Sequence, residues 1–308
     1  MKKILITGGA GFIGSSLADK LLASDYYVVI VDNLLTGDKR NIPVSKNCRF
    51  IRCDINNYQD IAPIMAAFQF EYVFHYAAVV GVQRTIDNPV MVLSDLDGFR
   101  NILDLSKNTA VKRVFFSSSS EVYGEPVELP QHEHTTPLNS RLPYAIVKNV
   151  GEAFCRSYQQ QFDLDYTILR FFNTYGIRQS TDFVISKFMR QAIKNEPITI
   201  YGDGSQTRTF CYIDDNLDIT LKALEQNLFV NDIVNIGSNR ITPILELAQK
   251  IIEVTESSSE IIHLSPLKEG DMTRRQPDNS KMLSVLGRDL MPLEKGLKSV
   301  FESGRFQG

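Results

Sequence analysis

The stretch Lys2–Leu17, KKILITGGAGFIGSSL, carries an apolar run straight into glycines and out into an amphipathic pattern. Gly8, Gly11 and Gly14 are spaced G-x-x-G-x-x-G. Between a strand and a helix, such glycines permit a tight turn and let backbone approach a pyrophosphate. They also let the helix pack close to the sheet with its N-terminal amides aimed at phosphate. A glycine-rich turn without a ligand would read the same way, so the surroundings decide. The next apolar run, YYVVIVDNL (26–34), brings Asp32 to a strand end, where a carboxylate can accept both hydroxyls of a ribose. An acidic group there repels a 2′-phosphate and no Arg follows directly, which favours NAD over NADP. After a third run, Asp54 of CDI stands where an adenine would lie. The expected cofactor contacts are Gly8, Gly11, Phe12, Ile13, Gly14, Asp32, Asn33, Asp54, Ile55 and Ala77 and, further along the chain, Tyr144, Lys148 and Phe171.

The chain has 308 residues, 43% of them apolar and 22% charged, enough for a large core in one or two domains. A formal charge of -3, with Lys and Arg scattered, supplies no basic field for nucleic acid and no polybasic block for a membrane surface. No apolar run approaches ~18 residues and Met1-Lys2-Lys3 leads directly into fold-forming sequence, so a cytoplasmic protein is expected. Cys48, Cys53, Cys155 and Cys211 show no metal spacing and read as reduced, structural thiols.

Short apolar runs at Ile4–Ile6, Tyr27–Val31, Phe50–Arg52, Tyr72–His75, Arg113–Ser117 and Tyr166–Arg170 predict strands. Helical spacing at Ile13–Ala23, Tyr58–Phe68, Val90–Lys107 and Tyr144–Gln161 alternates with them. The fold class is therefore α/β: a doubly wound parallel sheet of the Rossmann type, over residues 1–172. Beyond Tyr175 the alternation weakens. Residues 173–308, with EPITIYGDGSQTRTF and IVNIGSNRITPILELAQKI, read as a smaller α+β substrate domain whose boundary interleaves with the first.

A second cluster follows the fifth strand. FFSSSSEVYG (115–124) precedes PYAIVKN (143–149), where Tyr144 and Lys148 sit one helical turn apart on one face. A tyrosine alone is a poor base at neutral pH. An adjacent ammonium and an oxidised nicotinamide favour its phenolate, which can take the proton of an alcohol while hydride leaves the same carbon. A serine at the strand end can hold the alcohol oxygen. A Y-x-x-x-K pair arises by chance on many helices; its place in a dinucleotide-binding fold gives it weight.

TGGAGFIG, SSSSEVYG, YAIVK, RFFNTYG and GSQTRTFCYIDD, in that order over nearly the whole chain, resemble the extended short-chain dehydrogenase/reductase family in its nucleotide-sugar epimerase/dehydratase branch. The resemblance implies a Rossmann domain holding tightly bound NAD and a C-terminal domain for a nucleotide-diphospho-sugar. It implies a triad of Ser119, Tyr144 and Lys148, with Ser118 a close competitor for the hydroxyl. It places Asn173 and Arg208 near the diphosphate, Tyr201 near the base, Ser120 near the sugar and Phe171 beside the nicotinamide. For Arg208 the alternative is an ion pair with Asp214 or Asp215; for Phe171, core packing. It also implies a homodimer in which the 90–107 and 144–161 helices form a four-helix bundle. Ala145, Val147, Val150, Ala153, Phe154 and Tyr158 give the second helix more apolar surface than one stripe needs.

Two departures stand out. The branch commonly has Asn three residues before the glycine of an N-x-x-G helix, where DLDG supplies Asp95. Its R-P-G-D is KEGD here, Lys268 to Asp271, which would shift a phosphate-binding arginine to Arg274 or Arg275.

Oxidation at C4 of the sugar opens three outcomes. Epimerisation needs the triad and room for the ketone to turn. Dehydration needs in addition an acid and a base, commonly an Asp-Glu pair before V-Y-G; here Ser120 precedes Glu121. Decarboxylation of a uronate needs groups that place the carboxylate and handle protons at C5. The S-E-V-Y-G form and R-R-x-P-D, with Arg275 at the carboxylate-associated position, look similar to UDP-glucuronate decarboxylases. Glu121 as a solvated strand-end residue would favour epimerisation. The expectation is a UDP-sugar enzyme with Ser119, Glu121, Tyr144 and Lys148 catalytic, NAD as cofactor and no metal, favouring decarboxylation. Dehydration and 4-epimerisation stay open. A non-catalytic NAD sensor and an NADPH-consuming reductase are more distant alternatives.

Overall fold

The computed structural model describes residues 1–265 and 274–306. Its main sheet has seven strands. Six are β1 (Lys3–Thr7), β2 (Tyr27–Asp32), β3 (Cys48–Arg52), β4 (Tyr72–His75), β5 (Arg113–Ser119) and β6 (Asp165–Phe171). The seventh, Asp232–Ile236, lies outside β6, giving the order 232–236, β6, β5, β4, β1, β2, β3. The β1–β2, β2–β3, β1–β4 and β4–β5 pairs are all parallel. Ile4, Leu5, Ile6, Val28, Val29, Ile30 and Val31 are fully buried, as continuous apolar strands covered on both faces must be.

The helices of this first unit include α1 (Phe12–Ala23), α2 (Tyr58–Phe68), α3 (Val82–Asp87), α4 (Pro89–Leu93), α5 (Asp95–Lys107) and α6 (Pro143–Phe162). The helix expected over 90–107 is two helices. The first starts at Pro89, whose missing N–H suits a first turn, and ends at Ser94, whose hydroxyl donates back to the Val90 carbonyl. α3 was not legible as a separate element.

The chain forms two compact units, each of three segments: 1–122, 140–170 and 220–234 in one; 123–139, 171–219 and 235–308 in the other. The run IVNIG, read with the C-terminal region, instead supplies the outer strand of the main sheet. Buried Arg113 holds 220–234 in the first unit by donating to the carbonyls of Ala223 and Leu228 at 2.8 and 3.0 Å. These carbonyls lie at and beyond the end of helix Ile213–Glu225, a favourable place for a cation. The second unit holds α7 (Val184–Ile193) and three small sheets, among them Ile198–Tyr201 paired with Ile261–Leu264 and Thr207–Thr209 paired with Ile241–Pro243.

Candidate active site

The order of strands reverses between β1 and β4, which opens a crevice at their carboxyl ends. Thr7 Oγ1 stitches that edge by accepting the N–H groups of Tyr76 and Ala77 at 3.1 and 3.2 Å. Gly8 follows at φ +67°, and a Cβ there would stand 2.7 Å from the Ala77 nitrogen. A Cβ on Gly14 would lie 2.6 Å from the Gly8 carbonyl, so α1 starts hard against the loop. Phe12 and Ile13 form its first turn. Asp32, mostly buried, accepts Ala10 N–H at 3.0 Å on one oxygen and Leu34 N–H at 2.7 Å on the other, leaving a lone pair on each. Burial pushes its carboxyl up, and the two backbone bonds oppose that. Asn33 reaches Asp54 at 3.4 Å, and Ile55 is buried beside it. A cradle that one Cβ would fill, ending at a carboxylate with spare acceptors, fits a dinucleotide diphosphate and ribose.

On α6, Lys148 is 4% exposed. Its Nζ donates to the Ser117 carbonyl at 2.6 Å and lies 5.7 Å from the centroid of the Tyr144 ring. Burial pulls its ammonium down to about 8, opposed by the charge of Asp95. His75, held down to about 3 by burial and secondarily by Lys148, stays a neutral imidazole within hydrogen-bond reach of Thr7. The two serines separate cleanly. Ser118 donates to buried Glu152 at 2.6 Å, whereas Ser119 Oγ accepts from Glu121 N–H at 3.2 Å and keeps its own proton to donate. Ser120 is buried, and one carboxylate oxygen of half-buried Glu121 is buried too.

Of the residues expected on the substrate side, Asn173, Tyr201, Arg208 and Arg275 lie in the second unit and Ser120 in the first. Asn173 is half-buried at φ +38°, and its side-chain N–H2 is buried without an acceptor among the described residues. An orphaned donor of this kind suits an anion. Tyr201 ends its strand 38% exposed, with Lys187 Nζ of α7 5.3 Å from its ring centroid. Arg208 donates to the Thr207 carbonyl at 2.8 Å. Asp215, one of its two alternative partners, is instead engaged by Arg288. Phe171 is half-buried at the end of β6. Arg275 is 7% exposed and Arg274 exposed. Lys268–Asp271 lies outside the described residues.

The model of the NAD dependent epimerase/dehydratase family matches residues 4–237. The chain belongs to this family. It is 38% identical over 303 residues to a putative UDP-glucose 4-epimerase of Methanocaldococcus jannaschii, covering 96% of each chain. It is 36% identical to UDP-glucuronic acid decarboxylase 1 of Danio rerio, covering 98% of this chain and 72% of the relative. Among solved structures, a Thermotoga maritima UDP-glucose 4-epimerase with UDP-glucose superposes with a TM-score of 0.93 at 33% identity, covering 99% of each chain.

Within this family member the structure adds contacts that the motifs did not announce. Asp95 accepts the Val79 N–H at 2.8 Å, which is how a carboxylate serves where the branch commonly has Asn. Its charge also supports the Lys148 ammonium. An Asp95→Asn variant keeps an acceptor for Val79 but loses that charge, so the Lys148 pKa should fall below its present value. With Lys148 supporting a Tyr144 phenolate, as the family resemblance implies, the alkaline limb of a kcat/KM profile from pH 6 to 10 is expected to move to lower pH. Lys187 had no signal in sequence, because its tie to Tyr201 joins a helix to a strand. Glu152 had one, as the next member of the Tyr144–Lys148 stripe.

Proposed function

We propose that this chain converts a UDP-sugar through a 4-keto intermediate, with decarboxylation of a UDP-uronate as its outcome. The observation that carries the reading is a single glutamate, Glu121, following Ser120 where a dehydratase has an Asp-Glu pair, together with the buried guanidinium of Arg275. Sites that remove water need separate acid and base carboxyls. A β-keto acid loses CO2 without a leaving-group acid, so one carboxyl and one carboxylate-binding cation suffice.

In this mechanism Asn173 and Arg208 bind the diphosphate, Tyr201 packs against the base, and Arg275 places the uronate carboxylate. The Ser119 hydroxyl donates a hydrogen bond to the C4 oxygen and keeps its proton. Tyr144, as phenolate beside Lys148, takes the C4 hydroxyl proton and later returns it. The Gly8–Gly14 loop, Asp32, Asn33, Asp54, Ile55, Ala77 and Phe171 would hold NAD, which when bound supplies a reversible hydride acceptor for C4. Glu121 handles the proton at C5. The Methanocaldococcus relative keeps 4-epimerisation as the second reading. Incubation with UDP-glucuronate, UDP-glucose and UDP-N-acetylglucosamine, read by mass, separates them. Loss of CO2 is the expected product change; loss of water or an unchanged mass with inverted C4 would replace it.

A homodimer through the 90–107 segment (α4 and α5) and α6 goes with this reading. Ala145 and Val147 are buried, and Phe154 and Tyr158 pack on the core of the first unit, so much of the expected apolar surplus is used there. Exposed Ile86, Val90, Met91, Leu93 and Ile146 remain to support the pairing, which sedimentation at micromolar concentration would register as twice the chain mass. No helix among the described residues is long and apolar enough to cross a membrane. Four free cysteines, three of them buried, go with a reducing, cytoplasmic setting in this reading.

A further inference from the structure

Tyr144, Lys148 and Glu152 stand at i, i+4 and i+8 of α6, and the last two meet consecutive residues of β5. Lys148 takes the Ser117 carbonyl and Glu152 Oε1 takes the Ser118 hydroxyl, both at 2.6 Å. Helix and strand touch closely between these bonds, since a Cβ on Gly151 would lie 2.5 Å from the Phe116 ring. Glu152 is wholly buried. Arg170 of β6, 1% exposed, closes on it in bidentate fashion, Nε to Oε1 at 2.8 Å and Nη2 to Oε2 at 2.7 Å. Arg156, one turn further along α6, approaches Oε2 at 3.6 Å.

A dry ion pair recovers its desolvation cost poorly, and well-packed apolar substitutes are often neutral or stabilising. What a bidentate pair supplies is direction. We propose that Glu152 and Arg170 are positioning residues that fix the register of α6 on β5, so that Ser119 and Tyr144 can address one substrate oxygen. Glu152 grips Ser118, and the Ser118–Ser119 peptide carries the donor hydroxyl. A slip of the helix along the strand would break the Lys148–Ser117 and Glu152–Ser118 bonds together and part Ser119 from Tyr144. The identity of that oxygen rests on the function proposed above; the register does not.

The test is a Glu152→Met/Arg170→Met double variant beside Ser118→Ala, each assayed with UDP-glucuronate and by thermal melting. The double variant should melt near the wild type yet lose about 10-fold to 100-fold in kcat, with KM close to unchanged. Ser118→Ala should move the same way, less far. Wild-type kcat in the folded double variant, or kcat and KM altered together with a lowered melt, would overturn the inference. If the double variant fails to fold, an unchanged kcat in Ser118→Ala does so. Should the wild type turn over no UDP-sugar, the functional reading falls, and NMR of ring-labelled tyrosine then decides the inference alone. The Tyr144 signal, assigned by Tyr144→Phe and followed against pH, reports on Lys148, whose Nζ lies 5.7 Å from the ring centroid and which Asp95 and His75 face. Its midpoint should rise in the double variant as Lys148 loosens, and an unmoved midpoint would refute the register role.

Discussion

A Tyr144→Phe variant is expected to keep its fold and lose about 10²- to 10⁴-fold in kcat, because in the proposed mechanism one oxygen atom carries the proton transfer. The ring packs with Val79, Val92 and Val147, so Phe fills the same space. Lys148 keeps its bond to the Ser117 carbonyl and its place over the Phe116 ring, 5.0 Å from the centroid. The variant should therefore melt close to the wild type and still bind the dinucleotide, whose diphosphate loop and ribose carboxylate lie elsewhere on the first unit. Rates with UDP-glucuronate, a melting curve and NAD titration by calorimetry together check it. A variant with activity within about tenfold of wild type would remove Tyr144 from the chemistry.

What the sequence disclosed was local. The turn from β1 into α1 is legible because Gly8 must adopt a left-handed backbone and Gly14 must admit a carbonyl, and both demands show as glycines. Asp32 is legible because a strand end fixes where its carboxylate can be. Tyr144 and Lys148 are legible because helical spacing alone puts them on one face. What escaped depends on partners distant in the chain. The strand at 232–236 joins β6 some sixty residues away, and its own composition does not say which sheet it extends. The break at Ser94 comes from a side chain competing for a backbone carbonyl, inside a run whose apolar spacing stays helical throughout. The different hydrogen bonding of Ser118 and Ser119 depends on Glu152, 34 residues on, which takes the Ser118 hydroxyl.

The second large effect concerns the branch point after C4 oxidation. Glu121→Gln should leave ketone formation running and depress CO2 release by about 10²-fold or more, so a 4-keto uronate accumulates that mass spectrometry can see. The amide keeps the size of the side chain, and the backbone N–H that binds Ser119 Oγ is untouched, so the donor to the C4 oxygen stays in place. What the amide lacks is a carboxylic proton to deliver to C5 of the enolate that CO2 departure leaves, so CO2 still in the site can recombine with that carbon and net release falls. Because Ser120 occupies the preceding position, no neighbouring carboxyl in that turn can substitute, unlike a site with an Asp-Glu pair. A dehydratase would respond differently: its loss would appear as retained C6 oxygen without any change in CO2. An epimerase would be nearly indifferent, since returning hydride to the other face asks nothing of Glu121. Product ratios from wild type and variant, measured with UDP-glucuronate and UDP-glucose side by side, thus discriminate three chemistries through one atom pair. Indifference of every product to this substitution would overturn the proposed decarboxylation and favour epimerisation.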